Sequence, residues 1–528
     1  VELRHGVHLH LEEGLMVAAV LPSAQPGVRR DLAGLILGAI LVFALAIRFY
    51  NLDTASLWED EIAAIEIARV PLSVLWSDWM VRETNPPLYY SLLHLWMKVF
   101  GDGAFAVRSL SAIAGGAAVW LVFLLGRAVG STRVGLIAAL LTAAWSHQVY
   151  FGQEARGYIF AFCGAVTAMI GLVGIADQVQ AKADAPGGLK PWALYLAGCL
   201  AATYTHTTLV FLPLLSSLYF VWLWGFRSER RWRDLGAWTL ANGLLLAGWA
   251  WWGYITYLQV SRPDNNINWI PRTSPVDAFN IVTIAYGPTG VSWENSLLRI
   301  ALQIGGGGLV LLAAAWGALR LGLERAAMLA VFAIGLPVLV FLISLHTPMM
   351  MPRILLWGHV GVLIGLASAL AAVKSPKAQL AIGGLVLAML ILGHRVQNPK
   401  EPWEAAVAEL DRRVGPDDLV LASGAGILIQ HYCDKIKCGF ETVDVLGPSE
   451  AINHWKAGMF RGPRPTPDAV PALIAGHPRV WTVTLTIQDP RPFVAPHAVE
   501  EPVDVVSDPL ERLVVSSWRP KAAAVTMD

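Results

Sequence analysis

Charge is what this chain has least of. Lysine and arginine number 39 and aspartate and glutamate 39 in 528 residues, so 15% of the chain is charged, where soluble domains carry about 25%. That shortage excludes a chain bathed in water over most of its length. The net charge is zero, which leaves no basic surface to attract a nucleic acid. Cysteine is almost missing, with four residues. Cys163 and Cys199 lie in apolar runs as small hydrophobes. Cys433 and Cys438 sit close together in the polar tail, where a disulfide forms if that tail is extracytoplasmic. A zinc site needs more ligands than this pair supplies. A cleavable signal pattern is missing too: residues 1–28 are of mixed character, with Arg29 and Arg30 standing just before the first apolar run. The first spanning helix therefore doubles as the targeting signal.

What is abundant is apolar. Hydrophobic residues make up 55% of the chain, and it holds 22 tryptophans. Many of these, including Trp76, Trp79, Trp96, Trp192, Trp222 and Trp251, fall near the ends of apolar runs, where amphipathic rings settle at a bilayer interface. Runs of about 17–25 apolar residues are long enough to cross a bilayer as helices. They occur at 31–50, 105–126, 134–151, 157–177, 191–208, 209–226, 234–254, 296–318, 326–345, 354–373 and 377–394. The count predicts about eleven crossings. It also puts Arg29/Arg30, Arg127/Arg133, Lys182/Lys190, Arg227/Arg230/Arg231/Arg233, Arg320/Arg325 and Lys374/Lys377 on one side, which the positive-inside rule makes the cytoplasm. The pattern holds only if residues 86–100, a short apolar run with His94 and Lys98, do not cross. Residues 51–104 are therefore an outer loop with juxtamembrane helices.

Past residue 394 no run is long enough to span. Residues 402–413 have helical apolar spacing, and the β-branched stretches 418–423, 480–487 and 512–517 read as strands. The expected fold is a multi-pass α-helical membrane protein with a soluble C-terminal α/β domain. Its parts are a cytoplasmic segment 1–30, a membrane domain 31–394 and an outer domain 395–528.

Polar chemistry gathers on the outer loops. Glu59, Asp60 and Glu61 open an amphipathic stretch. Consecutive helix positions point about 100° apart, so at most two of the three share one cavity. Glu154 and Arg156 follow a spanning helix in FGQEAR, Arg353 ends HTPMMMPR, and His206 lies in YTHTT at another helix end. Each has a bland alternative: dipole-favoured surface acids, snorkelling arginines, a satisfied histidine. Topology counts against the bland set, because all four clusters share one side. Carboxylates can deprotonate a hydroxyl nucleophile, and guanidinium forks bind phosphate oxygens. No cofactor is expected, although adjacent acids offer oxygen ligands for a divalent cation.

The order of these motifs resembles the dolichyl-phosphate-mannose protein mannosyltransferase and aminoarabinose transferase superfamily, bacterial glycosyltransferase family 39-like proteins of the GT-C fold. SLWEDE (56–61) is similar to the family's S-L-W-x-D-E, and NPPLYY (85–90) to its H-P-P-L-Y-Y. FGDGAFAVRSLSA (100–112), YFGQEARGY (150–158) and YTHTT (204–208) follow in matching order. The likeness covers about residues 40–220 and weakens near 346–365. It implies Asp60 as catalytic base, Glu61 in support or touching the acceptor, and Glu154 and Arg156 completing the site. Arg353, with Arg156 and His206, would bind the donor phosphate; Glu59, Asn85 and Tyr89 would support the loop or acceptor. Three positions depart from the pattern: Asn85 stands where the family has His, Glu59 where an aromatic is frequent, and Ile354 follows Pro352-Arg353 where an aromatic is common.

The resemblance implies a polyprenyl-phosphate-linked sugar donor and a lipid, protein or glycan acceptor. Transfer would invert the anomeric centre, at the outer face of a bacterial cytoplasmic membrane. A lipid-linked glycan polymerase or ligase would instead use a large later loop, and residues 255–295 carry Arg262, Asp264, Asn265, Asn266 and Arg272. A transporter or lipid flippase would place ionisable residues near the bilayer midplane and pair half-helices.

Overall fold

The computed structural model describes residues 26–181, 188–226, 231–261, 270–287, 297–394, 400–445, 459–485, 489–501 and 513–521. Most of the N-terminal segment lies outside them, as do Lys182, Arg227, Arg230 and the polar loop residues Arg262, Asp264, Asn265 and Asn266; Arg272 lies within them and is exposed.

Every one of the eleven apolar runs falls on a helix. Among the described residues, five helices are long and apolar enough to cross a membrane singly: Asp31–Phe49, Ala104–Val129, Tyr158–Gln180, Thr207–Gly225 and Leu323–Ser344. A sixth is added if the bent pair Thr132–Ala144 and Ser146–Gly152 is one span. The expected eleven exceeds what these helices establish one by one: some are too short, and Trp232–Val260, with 29 residues, is long enough but not apolar enough. Lys190–Thr203 and His359–Ala372 have 14 residues each, about 21 Å at 1.5 Å per residue against a hydrocarbon core of about 30 Å. His359–Ala372 is buried over nearly its whole length, so its partners are other helices and not lipid.

The run at 134–151 is a broken helix, bent by 63° at Trp145, whose backbone is extended. A break at this depth strips carbonyls of their helical donors, and in a membrane such groups must be paired internally. Arg48, fully buried, supplies the pairing: Nη1 donates to Ala143 O at 3.1 Å and Nη2 to Thr142 O at 3.2 Å. The guanidinium fits because Gly152 faces it; a Cβ there would stand 2.9 Å from Arg48 Nε.

Helices Tyr158–Gln180 and Lys190–Thr203 approach nearly backbone to backbone. A Cβ at Gly164 would lie 2.8 Å from Ala202 N, and Gly171 and Gly198 face the opposing backbone at Tyr195 and Ala168 even more closely. Small residues at crossings are how membrane helices gain packing without a hydrophobic driving force.

Outside the bundle, Glu59–Arg69 packs on Pro87–Phe100. Pro87 opens the latter helix at its first turn, where no amide donor is needed, and Gly101 closes it with φ +81°, a left-handed cap suited to glycine. With 14 residues this helix is too short to cross a bilayer by itself.

The C-terminal residues form a five-stranded sheet: β1 Leu419–Ala422, β2 Thr442–Asp444, β3 Val480–Leu485, β4 Ala498–Glu501 and β5 Leu513–Pro520, in the order β2-β1-β3-β5-β4. β2, β1 and β3 are parallel, with Val420 opposite Thr442 and Trp481, while β5 and β4 add on antiparallel. β1 and β3 are buried at every position, as strands covered on both faces must be. Cys433 and Cys438 form a disulfide at the end of helix Gly426–Ile436. One apolar core joins this unit to the outer loop: Leu57, Ile62 and Ile65 pack with Trp403, Leu428 and Tyr432.

Gly171→Val should sharply lower both the yield of monodisperse detergent-solubilised protein and its Tm, because overpacking alone costs about 1–3 kcal/mol. Gly38→Val, with nothing within 4 Å of its Cβ, should change neither. Size-exclusion chromatography and thermal unfolding of both variants check this; equal behaviour would refute the close crossing.

Candidate active site

The helix Glu59–Arg69 starts with three carboxylates, and its pitch sends them into different surroundings. Glu61 turns inward and is fully buried. Arg108 grips it as a fork, Nε to Oε1 at 2.8 Å and Nη2 to Oε2 at 2.6 Å. The Ala155 amide donates to Oε1 at 2.9 Å, Lys400 Nζ to Oε2 at 3.0 Å, and the Trp58 amide to Oε2 at 3.4 Å. That last bond closes a capping box. Burial alone would raise the pKa of Glu61, but Lys400 and Arg108 with the Ala155 amide hold it down at about 2. Glu61 is thus a permanently charged anchor under the site.

Glu154 reaches the same interior from the second outer loop and is 1% exposed. Its Oε1 lies 3.7 Å from Lys400 Nζ. Burial raises its pKa, and the neighbouring charges of Glu61 and Asp60 add to the rise against the pull of Lys400. The loop then turns outward: the Arg156 amide donates to Glu154 O at 2.8 Å, and the Arg156 side chain points to the rim.

Asp60 stands at that rim. Its Oδ2 lies 3.6 Å from Arg156 Nη2 and 3.5 Å from Arg353 Nη1, and Arg156 Nη1 donates to Asp60 O at 3.1 Å. Arg156 also lies over the Tyr158 ring, 5.6 Å from its centroid. Asp60 thus stands between two guanidiniums, and the buried Glu83 carboxylate also acts on Arg156. The separations are longer than a close ion pair of about 2.7–2.9 Å, which suits a site that opens to admit an anion.

Beside Arg156 a small cleft is lined by Asn85, Tyr89, Tyr90, Gly157, Tyr158, Thr205 and His206. His206 Nδ1 takes up the Thr208 amide at 3.3 Å and faces Thr208 Oγ1 at 2.9 Å. Burial and the cations Arg156 and Arg353 push its pKa down to about 3, so it is a neutral hydrogen-bonding group. Asn85 donates through both its backbone amide and Nδ2 to Glu83 Oε1, at 3.0 and 3.1 Å. Tyr89 is buried with its ring 5.5 Å from Phe160. Glu59 is half-buried beside this machinery.

The loop that carries Arg353 also supplies Met350 to an apolar cavity of ≈ 580 Å³, further lined by Ala278, Tyr286, Ala314, Leu329 and Pro337. Among the described residues no group of three or more His, Cys, Asp or Glu is arranged to hold a metal ion.

The structure therefore gathers Asp60, Glu61, Glu154, Arg156, His206 and Arg353 from four separate stretches of chain. Sequence reasoning missed three partners. Arg108 lay inside the FGDGAFAVRSLSA motif but opens a spanning helix, where an arginine passes for a snorkelling end group. Glu83 had its cue in its position just before Asn85. Lys400 had none, since it belongs to the polar tail and its neighbours 395–399 lie outside the described residues.

The architecture is similar, at the level of the fold, to three solved structures. ArnT from Cupriavidus metallidurans superposes in its apo state with a TM-score of 0.62 and 17% identity, covering 91% of this chain and 98% of that one. ArnT bound to undecaprenyl phosphate gives 0.57 and 16% over the same shares of the chains. Archaeal oligosaccharyltransferase AglB from Archaeoglobus fulgidus, in complex with an inhibitory peptide and a dolichol-phosphate, gives 0.52 and 12%, covering 86% of this chain and 70% of that one. No family model matches the sequence, and no curated protein matches it.

Glu61→Gln should destabilise the protein by about 3–5 kcal/mol at neutral pH, the usual loss when a buried ion pair is broken. A carboxylate with a depressed folded pKa contributes stability above its unfolded value of 4.5, lost as the pH falls toward about 2. The Tm gap between wild type and variant should therefore be full at pH 7 and close across that acid window. A gap that ignores pH would sink the assignment.

Proposed function

We propose that the chain is a membrane glycosyltransferase that moves a sugar from a polyprenyl-phosphate donor to an acceptor hydroxyl. The carrying observation is Asp60 held at the rim between Arg156 and Arg353, 3.6 and 3.5 Å away, above a sealed Glu61–Arg108 pair. The apolar cavity beside Arg353 has the chemistry to take the polyprenyl chain. Solved GT-C structures holding undecaprenyl phosphate or dolichol-phosphate on the same fold support that choice of donor.

In this mechanism the donor phosphate enters between Arg156 and Arg353 and draws both guanidiniums toward its oxygens. Asp60, freed from part of that pairing, accepts the proton of the acceptor hydroxyl. The hydroxyl oxygen bonds to the anomeric carbon from the side opposite the phosphate, and the carbon–oxygen bond to phosphate breaks. The anomeric centre inverts, and polyprenyl phosphate leaves with its added negative charge on the two arginines. His206, neutral in its pocket, donates or accepts a hydrogen bond to the donor head group. Glu61 and Glu154 keep the two outer loops in register without touching substrate.

The domain roles follow the same reading: 1–30 as a cytoplasmic segment, 31–394 as the catalytic membrane domain with eleven crossings, and 395–528 as an outer domain on the periplasmic side of a bacterial cytoplasmic membrane. The Cys433–Cys438 disulfide supports an oxidising compartment for that last part. The alternative of a glycan polymerase or ligase rests on loop residues of which only Arg272, exposed, lies within the described ones.

Two measurements test this. Mass spectrometry of envelope glycolipids and glycans from a deletion strain should show one missing glycoform, restored by wild type and not by Asp60→Asn expressed at the same level. Restoration by that variant would end the role of Asp60 as base, and an unchanged glycan profile would favour a transporter. Separately, a topology reporter at residue 130 should read cytoplasmic; an outer location would put the assembled site on the cytoplasmic face and refute transfer at the outer one.

A further inference from the structure

Lys400 is the one cation at this site that no spanning helix or outer loop supplies. It precedes helix Trp403–Arg413, the first helix of the C-terminal unit, and its side chain is 13% exposed. Nζ lies 3.0 Å from Glu61 Oε2 and 3.7 Å from Glu154 Oε1, and 6.0 Å from the centroid of the Trp58 ring. Glu61 already has a full partner in Arg108. Glu154 does not: among the described residues Lys400, at 3.7 Å, is the only Lys, Arg or His paired with it, its Oε1 accepts no hydrogen bond, and the other partner of Glu154 is the neutral hydroxyl of Tyr150. Two buried carboxylates meet one buried and one half-buried cation, and the second cation comes from the tail.

The tail is fixed where it delivers this lysine. Tyr432 Oη donates to Leu57 O at 3.0 Å, the Glu404 amide to Ser56 Oγ at 3.3 Å, and His431 Nδ1 lies 3.5 Å from Glu66 Oε1. These contacts bracket Asp60 on both sides along the chain. Glu154, in turn, is tied to Arg156 through the backbone bond of 2.8 Å.

We infer that the C-terminal unit completes the site, and that Lys400 is a positioning residue which holds Glu154, and through it Arg156, in place against Asp60. Without Lys400, two fully buried carboxylates share one arginine. Glu154 then swings out or takes a proton, and Arg156 loses its set position at the rim. Charge balance, not packing of the lysine stem, is the working quantity. That distinction makes the idea testable by removing the other half of the pair.

The experiment uses the full-length chain in detergent or nanodiscs with Lys400→Met, Lys400→Arg, Glu154→Gln and the double variant Lys400→Met/Glu154→Gln. Two readouts are taken: Tm, and affinity for undecaprenyl phosphate followed by tryptophan fluorescence. Lys400→Met should lower Tm by several degrees and weaken binding about tenfold, the scale of coupling between contacting charges. Glu154→Gln added to it should recover most of the Tm loss, and Lys400→Arg should stay near wild type in both readouts. Strictly additive losses in the double variant would overturn the inference. Should Lys400→Met alone fail to accumulate, recovery of monodisperse double variant carries the same meaning, and its failure the opposite one. The affinity arm rests on the proposed donor, whereas the Tm arm does not. Loss of coupling in Tm therefore refutes the role of Lys400 alone, and absence of undecaprenyl phosphate binding in wild type refutes the donor alone.

Discussion

The buried fork between Arg108 and Glu61 is the interaction on which the outer face depends. Arg108 spends Nε and Nη2 on the carboxylate, at 2.8 and 2.6 Å, and turns its remaining donors to the carbonyls of Leu52, Ala55 and Ser56 at 2.7–2.9 Å. One guanidinium thereby folds the strand of chain before the acidic helix onto the top of the second spanning helix. Glu61 continues the chain of contacts to the Ala155 amide and to Lys400. Four parts of the sequence, near 52–61, 108, 155 and 400, are fixed by one ion pair with every strong donor used. A buried pair of this kind contributes little net stability over apolar packing, yet removing one member is costly. Its value here is register: it tells the loop where to stand.

A second constraint comes from the bilayer. Helix breaks near the hydrocarbon edge need internal partners for their carbonyls, and the chain meets that need at Trp145 with Arg48. The bend of 63° redirects Ser146–Gly152 so that the chain emerges at Gln153, whose side-chain amide donates to the carbonyls of Ile47, Arg48 and Tyr50. The Glu154–Arg156 turn follows at once. Where Glu154 and Arg156 stand is thus decided by an arginine in the first helix, far from either in sequence.

Much of this was legible before any coordinates. The apolar runs marked the helices, and 86–100 was expected not to cross because a crossing would invert every later basic loop. The motif order assembled Asp60, Glu61, Glu154, Arg156, His206 and Arg353 on one face. What escaped was of a different physical kind. The break at Trp145 carries neither proline nor glycine, and its one mark, the polar triplet Ser146-His147-Gln148 that follows it, is averaged away in a window that spans both halves. β2 and β4 are 3 and 4 residues long, below the length at which alternation can be read. Lys400 and Arg108 are single cations whose meaning lies wholly in tertiary position; composition treats them as solvated or snorkelling. Of the three adjacent acids, helical pitch foretold that they would diverge but not which would turn inward.

That divergence is where the chemistry is decided. Asp60 and Glu61 are neighbours in sequence with nearly identical side chains, yet they sit on opposite sides of a charge boundary. Below it, Glu61 and Glu154 face Arg108 and Lys400, two charges of each sign, and nothing there calls for an external ion. Above it, Asp60 faces Arg156 and Arg353 at the partly exposed rim, with the Glu83 carboxylate also acting on Arg156. On the proposed reading, the incoming phosphate meets the upper layer, where the two guanidiniums reach the surface. The lower layer must be neutral for this to work: a net positive interior would compete for the phosphate, and a net negative one would pull Arg156 down from the rim. On that reading, then, the buried pairs are what make the rim guanidiniums specific, and Asp60 owes its place as base to the residue beside it that never meets substrate.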